Sequence, residues 1–462
     1  MVAKGLIDST DDATPLVAVT SADYPVWLET QHSRVALWLR RTGFKAEAGA
    51  WRFVPAVDGG IALVVVCLGE ANDIWAVSDL PMALPDDMVL TLDPASDGLA
   101  DAVAQGWAAG CYSFSRYKTP EREPVSLVWP ESCDRNAVSA LIEAMTRGRD
   151  LVNTPAEDMG PADLGSVAED IAEQHEASVE ITLGETLLSA NYPAIHAVGR
   201  ASSRPPCLID LHWGAEDAPM VTLVGKGVCF DTGGHDLKGG AGMLRMKKDM
   251  GGAACALAVA GLVMAHELPV RLRVLIPAVD NALDGNALRP MDIVTTRKGV
   301  TIEIGDTDAE GRVILADALA AAVDDKPELL IDFATLTGAA RVALGMDLPA
   351  CFSNVEKLSA DLCDAGRGVD DPLWPVPLVK GYLPRMASDL ADINTIADWG
   401  FADHIQAALF LQKFVGDETP WLHIDTVCWN QNARPGRPRG GEIQGARAVF
   451  AMLQQRYGTG AE

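Results

Sequence analysis

Short apolar runs alternate with helix-period stretches along this chain, and this alternation restricts its fold more than any other sequence feature. From Ala156 onward the pattern is typical of a largely parallel sheet covered by helices on both faces. In such sheets, reactive side chains gather where strands end and loops begin. The candidate strands are Val179–Thr182, Cys207–His212, Val221–Val224, Arg271–Pro277, Leu329–Phe333 and Trp421–Asp425, and the candidate helices are Met250–His266, Val313–Val323 and Ile405–Val415.

The sequence pattern of the first 145 or so residues predicts a smaller α/β unit. Its candidate helices are Trp27–Arg41 and Gly98–Tyr112, and its candidate strands are Ile61–Leu68 and Met88–Leu92. No cluster of chemically reactive side chains falls in this part of the sequence.

The domain boundary is predicted near residue 145. A chain of 462 residues exceeds the usual limit of one hydrophobic core. We interpret Asp134–Val152 as a connecting helix, because Pro155 discourages its continuation. We therefore predict an α/β protein with a small N-terminal α/β domain at residues 1–145. A larger C-terminal α/β domain follows at residues 146–462, with a mixed, mostly parallel sheet flanked by helices.

Charge and cysteine usage exclude several classes of protein. The formal net charge is −27 and the sequence pI is near 4.6, so nucleic acid and anionic membrane surfaces would be repelled. Nine scattered cysteines without a CxxC pair are typical of reduced thiols in a cytosol. The longest apolar run, Met250–Ala265, is shorter than the roughly 18–20 residues that span a bilayer. We expect a soluble cytoplasmic protein.

Two glycine-containing segments contain the charged residues that indicate a functional site. They hold Lys226, Asp231, Lys238 and Asp249 in the first segment, and Asp308, Glu310 and Arg312 in the second. The glycine spacing does not match that of phosphate-binding loops. A merely flexible loop would not need these charges at the end of a strand, where unpaired charge is costly.

The second segment has an alternative interpretation. Thr307-Asp308-Ala309-Glu310 matches a capping box, in which two side chains satisfy free N–H groups at a helix start. Taken alone, this is the commonest meaning of that spacing. The neighbouring Arg312, the flanking glycines and the strand-like Thr301–Ile304 favour a reactive site instead.

Charge balance suggests what the carboxylates bind. Asp231, Asp249, Asp308 and Glu310 carry about four negative charges, which two divalent cations would neutralise, and carboxylate oxygens suit Mg, Mn or Zn. Lys226 could add a neutral amine ligand, because a nearby dication and burial both favour its uncharged form.

These residues lie in sequence motifs. The motifs, with one more further along the chain, are VGKGVCFDTGG, LKGGAGMLRMKKDMGGAA, TDAEGRVILADAL and ATLTGA. In this order and spacing, they resemble the leucyl aminopeptidase family, dimetal enzymes also called cytosol aminopeptidases. The resemblance covers residues 150–460 and makes 146–462 the catalytic domain. It implies a metal-dependent hydrolase that removes leucine or another apolar residue from peptides with a free N-terminus.

The resemblance also implies a role for each residue of the site. Asp231 and Glu310 would bridge two divalent ions (Mn, Zn or Mg), Lys226 and Asp249 would complete one ion's site, and Asp308 would complete the other's. Lys238 and Arg312 match the catalytic lysine and the arginine that holds a bicarbonate ion. Leu336 would also contact bicarbonate, and Met246, Thr335 and Gly338 would line the substrate pocket.

The implied mechanism is attack by a metal-activated water. Bicarbonate on Arg312 would relay the proton, while a cationic Lys238 would stabilise the oxyanion. The family further implies a homohexamer, with oligomer contacts expected from the N-terminal domain.

Several residues depart from the family pattern. Asp306 stands where asparagine is usual, Thr232 replaces a serine, His235 and Asp236 replace an apolar residue and a serine, and Phe401-Ala402-Asp403-His404 stands where a small, glycine-containing sequence is common. Because the implied ligands and catalytic residues are retained, we expect these departures to affect specificity rather than catalysis. We interpret His235 as a bystander.

Two other functions are alternatives. A non-catalytic or regulatory relative would keep the same fold, but retention of every implied ligand argues against it. The acidic charge argues against the DNA-binding version of that alternative. A nucleophilic hydrolase would need a G-x-S-x-G motif, which the sequence lacks.

Overall fold

The structure is a computed structural model that describes residues 3–10 and 12–458. Its contacts divide the chain into two compact units. The first is Met1–Thr146 with Asn432–Arg439, and the second is Arg147–Gln431 with Gly440–Glu462. The segment Asn432–Arg439 belongs to the first unit although it lies far outside residues 1–145, the range predicted for the N-terminal domain. Arg437 of that segment stacks over the Trp75 ring, 4.3 Å from its centroid.

The first unit is built on a six-stranded sheet. Its strands are β1 Leu6–Ile7, β2 Thr14–Thr20, β3 Trp51–Pro55, β4 Ile61–Leu68, β5 Val89–Leu92 and β6 Ser126–Val128, and its helices are α1 Tyr24–Thr30, α2 Ser33–Arg41, α3 Leu80–Ala83, α4 Ala100–Gly110 and the start of α5 Arg135–Asn153. The strand order is β1-β6-β5-β2-β4-β3, and every pairing is parallel except that of β3 with β4.

The predicted helix Trp27–Arg41 is wrong in one respect, because it consists of two helices. Gln31 adopts an extended conformation with ψ of 149°, which ends α1. The His32 side chain then accepts a hydrogen bond from the Arg34 backbone N–H and caps α2. Apolar periodicity continues through this break, so it could not reveal the two helices.

The second unit contains a nine-stranded mixed sheet with helices packed on it. The strands of the unit are β7 Ser178–Leu183, β8 Cys207–Trp213, β9 Met220–Gly225, β10 Gly227–Asp231, β11 Arg271–Asn281, β12 Ile293–Thr295, β13 Thr301–Glu303, β14 Leu329–Ala334, β15 Ala350–Ser353, β16 Trp374–Pro375, β17 Ile393–Asn394, β18 Trp421–Asp425, β19 Trp429–Asn430 and β20 Gly440–Gly441. Its helices are α6 Pro161–Gln174, α7 Thr186–Ser189, α8 Pro193–Gly199, α9 Gly240–Met243, α10 Gly251–Ala265, α11 Glu310–Asp324, α12 Gly338–Leu344, α13 Glu356–Gly368, α14 Asp403–Val415 and α15 Ala446–Tyr457.

The order in the large sheet is β16-β15-β18-β14-β9-β11-β8-β7, with β10 paired to β11. The central pairings of β18, β14, β9 and β11 are parallel, whereas β8 and β7 run antiparallel at one edge. The predicted mixed, mostly parallel α/β sheet is therefore confirmed. The strand predicted at Thr301–Ile304 forms as β13 in a separate three-stranded sheet with β12 and β17.

Two helices are buried on nearly every side. Thirteen of the fifteen residues of α10 are buried, and so are thirteen of fifteen in α11. α10 packs with α15 against β9 and β14, whereas α11 packs between α8 and α14. With the preceding 3₁₀ turn, Met246–Ala265 is long and apolar enough to cross a membrane, but 89% of its most apolar window is buried in the fold. Such burial is typical of a core helix.

The start of α10 lies close against the ends of β9 and β14. A Cβ atom on Gly252 would come within 2.2 Å of the Phe333 carbonyl oxygen and 2.9 Å of the Lys226 backbone nitrogen. Glycine is therefore required for this contact between helix and strands. The contact sets the position of Lys226, the first residue after β9.

We predict that Gly252→Ala destabilises the protein by about 1–3 kcal/mol, because the added methyl group has no space. The matched control is Gly261→Ala in the same helix, where no atom lies within 4 Å of the new Cβ. That change should stabilise by about 0.4–1 kcal/mol through a less flexible unfolded chain. Urea unfolding midpoints measure both effects, and equal midpoints for the two variants would contradict the proposed close packing.

Candidate functional site

The charged residues predicted from the sequence come together in the second unit, where strands end and helices begin. Lys226 follows β9, Asp231 ends β10, Asp249 lies in the 3₁₀ helix Met246–Met250, Asp308 lies in the 3₁₀ helix Thr307–Ala309, and Glu310 begins α11. Most of these side chains are at most 4% exposed, but that of Asp308 is 32% exposed. The site is thus a buried charged cluster with one open side.

Lys226 bridges two of the carboxylates. Its Nζ lies 2.6 Å from Asp249 Oδ2 and 2.8 Å from Glu310 Oε1. The side chain reaches them because Gly311 has no Cβ, which would lie 2.5 Å from Lys226 Cε. Burial opposes the charged ammonium, but the two carboxylates outweigh burial and raise the pKa of Lys226. Lys226 is therefore a cation here, and it could act as a neutral ligand only if another cation displaced its proton.

Lys238 bridges the other two carboxylates. Its Nζ lies 2.7 Å from Asp231 Oδ2 and also contacts Asp308 Oδ1. Burial disfavours its charge, yet the negative charge of Asp231, with contacts to Asp231 and Asp308, raises the pKa of Lys238 above its ordinary value. Lys238 therefore stays protonated at neutral pH.

The carboxylates differ in how well their charge is compensated. Burial opposes the ionisation of Asp249, but Lys226 and Lys248 hold its pKa below the usual value. Burial and the charge of Asp231 raise the pKa of Asp308 to about 7. Burial and Asp231 also raise the pKa of Glu310. Four carboxylates therefore face three lysines, Lys226, Lys238 and Lys248, which leaves an excess of negative charge in the cluster.

The arrangement fits a pair of cations. Carboxylate oxygens of Asp231, Asp308 and Glu310 lie within 4.8 Å of one another. Asp249 Oδ2, Asp308 Oδ1 and Glu310 Oε1 each contact a lysine ammonium, whereas Glu310 Oε2 is buried and accepts no hydrogen bond from the described residues. Unsatisfied buried carboxylate oxygens are costly unless a cation binds them. Asp249 lies outside the three-residue group and is connected to Glu310 through Lys226.

Asn281 holds Asp231 in place, and sequence reasoning missed it. Its Nδ2 donates to Asp231 Oδ1 at 2.8 Å and to the Thr307 carbonyl oxygen at 3.1 Å. Asn281 pairs with Asp231 in the register of β10 and β11. The sequence prediction ended this strand at Pro277, whereas β11 continues to Asn281. A strand predicted to extend to Asn281 would have placed Asn281 beside Asp231.

The capping box predicted as an alternative at Thr307–Glu310 does not form. Thr307 Oγ1 donates to the Gly233 carbonyl oxygen and accepts from the Asp236 backbone N–H, at 2.6 and 2.8 Å. Asp306 instead caps the 3₁₀ helix Thr307–Ala309, because its side chain accepts a hydrogen bond from the Asp308 backbone N–H at 2.8 Å. Glu310 instead lies beside Lys226.

Two departures from the family pattern have structural roles here. Asp306 caps the turn that carries Asp308, and Asp236 Oδ2 accepts from the Thr307 backbone N–H at 2.8 Å. Asp236 thereby connects the glycine-rich loop to the Asp308 turn. His235, between these contacts, is exposed.

Arg312 already has partners for its charge. Its side chain is 4% exposed, and it donates from Nη1 to the Thr395 carbonyl oxygen at 2.6 Å and from Nη2 to Asp403 Oδ1 at 3.0 Å. The backbone N–H of Leu336 donates to Asp425 Oδ1 at 3.0 Å. The Leu336 N–H and both Nη atoms of Arg312 therefore have hydrogen-bond partners within the chain, whereas Arg312 Nε is buried without one in the part of the chain that the structure describes.

The remaining predicted residues lie on elements that adjoin Asp249. Met246 is partly buried and begins the 3₁₀ helix that carries Asp249. Thr335 Oγ1 donates to Asp249 Oδ1 at 2.7 Å. Gly338 is exposed at the start of α12, and Leu336 packs at the edge of a core cluster.

Known proteins resemble this chain over both of its parts. The family model described as "Cytosol aminopeptidase family, catalytic domain" matches residues 146–450, and that described as "M17 aminopeptidase, N-terminal domain" matches residues 14–130. A probable cytosol aminopeptidase of Geobacter sp. (strain M21) is 39% identical over 77% of this chain and 75% of its own length. One from Mycobacterium bovis is 35% identical over 87% and 83%, respectively.

Solved structures are similar as well. A crystal structure of cytosol aminopeptidase from Coxiella burnetii has a TM-score of 0.91 and 44% identity, and covers 98% of this chain and 99% of its own. The bottromycin maturation enzyme BotP in complex with Mn has a TM-score of 0.86 and 31% identity, with 96% and 100% coverage.

The family predicted from the sequence motifs is thus confirmed over nearly the whole chain. The buried carboxylate cluster is consistent with the metal dependence of that family. This chain belongs to the cytosol (leucyl) aminopeptidase family and is a metallo-exopeptidase, a hydrolase.

Proposed function

We propose that this metal-dependent aminopeptidase removes leucine or another apolar residue from peptides with a free N-terminus. Lys226, Asp231, Asp249, Asp308 and Glu310 are the proposed ligands of two divalent ions. The observation that carries this proposal is the buried cluster in which each of two lysine ammonium groups bridges two carboxylates. Positive charge is required between those carboxylates, and divalent ions would supply more of it. Mn is the first candidate, because the related BotP is described in complex with Mn, and Zn and Mg are the others.

Bound at these residues, the two ions would supply Lewis-acid activation of water and of the scissile carbonyl. The chain's own residues orient the site. Asn281 and the Gly233 backbone N–H both donate to Asp231 Oδ1, at 2.8 and 2.9 Å, and so leave Oδ2 directed at the cluster. Lys238 keeps its proton and is proposed to stabilise the oxyanion that forms from the carbonyl.

The bicarbonate implied by the resemblance fits this site poorly. Arg312 is already paired with Asp403, so a second anion would meet the negative charge of that carboxylate. We therefore assign no proton transfer to bicarbonate, and we assign Arg312 and Leu336 no contact with it.

The proposed pocket for the substrate side chain is lined by Met246, Thr335 and Gly338. Met246 and Thr335 both adjoin Asp249, and a Cβ on Gly338 would meet only Arg341 Nη2, at 3.8 Å. Space and an apolar thioether favour an apolar substrate residue. Residues 146–462 are the proposed catalytic domain, and residues 1–145 are the proposed domain for contacts between subunits.

We also infer a cytoplasmic location, no nucleic-acid or membrane partner, and a homohexameric assembly. The location is supported by relatives that are named cytosol aminopeptidases. The absence of nucleic-acid and membrane partners is supported by the net charge of −27. The alternative of a non-catalytic relative is not favoured, because every proposed ligand is present.

The first test is cleavage of leucine p-nitroanilide after chelator treatment. We expect no turnover until Mn, Zn or Mg is returned, and no cleavage of the N-acetylated substrate under any condition, because the free amine is part of the recognised group. Absence of turnover with every metal, across a panel of N-terminal residues, would favour the non-catalytic alternative.

Lys238→Ala and Asp308→Ala should separate catalysis from metal binding. Loss of the ammonium should lower kcat by about 10²–10³ with little change in metal content. Loss of the carboxylate should lower both. Lys380→Ala removes a lysine that is 65% exposed and serves as the control. Turnover and metal content after dialysis are measured together, and unchanged turnover in either site variant would contradict its assigned role.

Light scattering tests the assembly. We expect a mass of about six times the 49.0 kDa subunit, as for a closed symmetric homohexamer. A mass equal to one subunit at assay concentration would contradict the hexamer without affecting the proposed chemistry.

A further inference from the structure

Arg312 has an unusual partner. Its guanidinium is 4% exposed, and the carboxylate that faces it belongs to Asp403, 91 residues further along the chain. Asp403 is the first residue of α14, a helix of 13 residues. A buried guanidinium and the N-terminus of a helix both attract an anion, and here they lie at the same point.

Asp403 is held in this position from two sides. Arg312 binds Asp403 through Nη2 and the Thr395 carbonyl oxygen through Nη1, so it fixes both ends of the segment 395–403. At the helix start, Ala402 adopts a left-handed conformation with φ of 54°, and its carbonyl oxygen accepts from the backbone N–H groups of Ile405 and Gln406. The backbone and Arg312 therefore place the Asp403 carboxylate, although its side chain is 45% exposed.

An intramolecular carboxylate has an advantage over a dissolved anion. Its effective concentration beside Arg312 is high because the chain holds it there, whereas a free anion must bind from solution. It also neutralises the guanidinium, so a second anion would be repelled at close range. The resemblance implies a small, glycine-containing sequence here, which would leave this space to an external ion.

We propose that Asp403 is a built-in anion for Arg312, and that this enzyme therefore does not use bicarbonate at that arginine. The inference rests on the proposed aminopeptidase function. In this role Asp403 is a positioning residue. It acts through Arg312, which follows the proposed ligand Glu310 by two residues in α11.

The test compares the wild-type protein with Asp403→Gly, which restores a small residue, and Asp403→Glu, which keeps the charge. Asp398→Asn is the matched control, because Asp398 is an exposed carboxylate in the same segment and pairs with Arg385 at 3.4 Å. Turnover of leucine p-nitroanilide by the Mn-loaded full chain is measured in buffer freed of carbon dioxide. Bicarbonate or chloride is then added at constant pH and ionic strength.

We expect bicarbonate to change wild-type and Asp398→Asn turnover by less than about twofold. Asp403→Gly should lose about tenfold or more without bicarbonate and regain most of that loss when it is added. Asp403→Glu should retain more activity than Asp403→Gly and respond less to bicarbonate. A merely structural role for Asp403 would lower turnover without this recovery.

A second readout does not depend on activity. Bicarbonate, compared with chloride, should raise the thermal unfolding midpoint of Asp403→Gly and leave that of the wild-type protein unchanged, because only the variant has an open anion site. The proposal is overturned if bicarbonate stimulates or stabilises the wild-type protein as much as the variant. It is also overturned if the variant gains neither rate nor stability. Should the wild-type chain cleave no substrate with any metal, the proposed function fails, but the unfolding comparison still decides which anion Arg312 binds.

Discussion

The site depends on the pairing of two lysines with four carboxylates. Lys226 and Lys238 each bridge two carboxylates, and of these six side chains only those of Lys238 and Asp308 are more than 4% exposed. Like charges at this separation repel strongly unless cations lie between them. The fold therefore has to bring strand ends, a glycine-rich loop and two helix starts together within a few ångströms. Gly252 and Gly311 show how this is done, since each leaves space where a side chain would displace a lysine.

The sequence predicted much of the fold and most of the site. Strands Ile61–Leu68 and Trp421–Asp425 were predicted with the bounds that the structure has. The residues proposed to bind metal do gather at one place, because their motifs follow strands whose carboxyl ends meet at one edge of a parallel sheet. Their ligand and catalytic roles remain predictions until the variants are measured.

What the sequence could not give are the contacts that depend on register and on distant segments. Asn281 reaches Asp231 only because β11 is longer than its apolar run suggested. Thr307 matches a capping box in sequence, but its hydroxyl is drawn to Gly233 and Asp236 by the folded loop. Asp403 meets Arg312 across 91 residues, a contact that no local pattern records.

The two bonds of Arg312 also determine how the surface near it can move. The segment between Thr395 and Asp403 carries Trp399 and the 71% exposed Phe401, whose rings pack edge to face with centroids 5.9 Å apart. Since both ends of the segment are attached to the same buried guanidinium, it cannot swing out as a hinged lid without breaking a charged contact. Rotation of the exposed Phe401 ring breaks neither bond, and side-chain rotation of exposed residues takes picoseconds to nanoseconds rather than the microseconds of a loop opening.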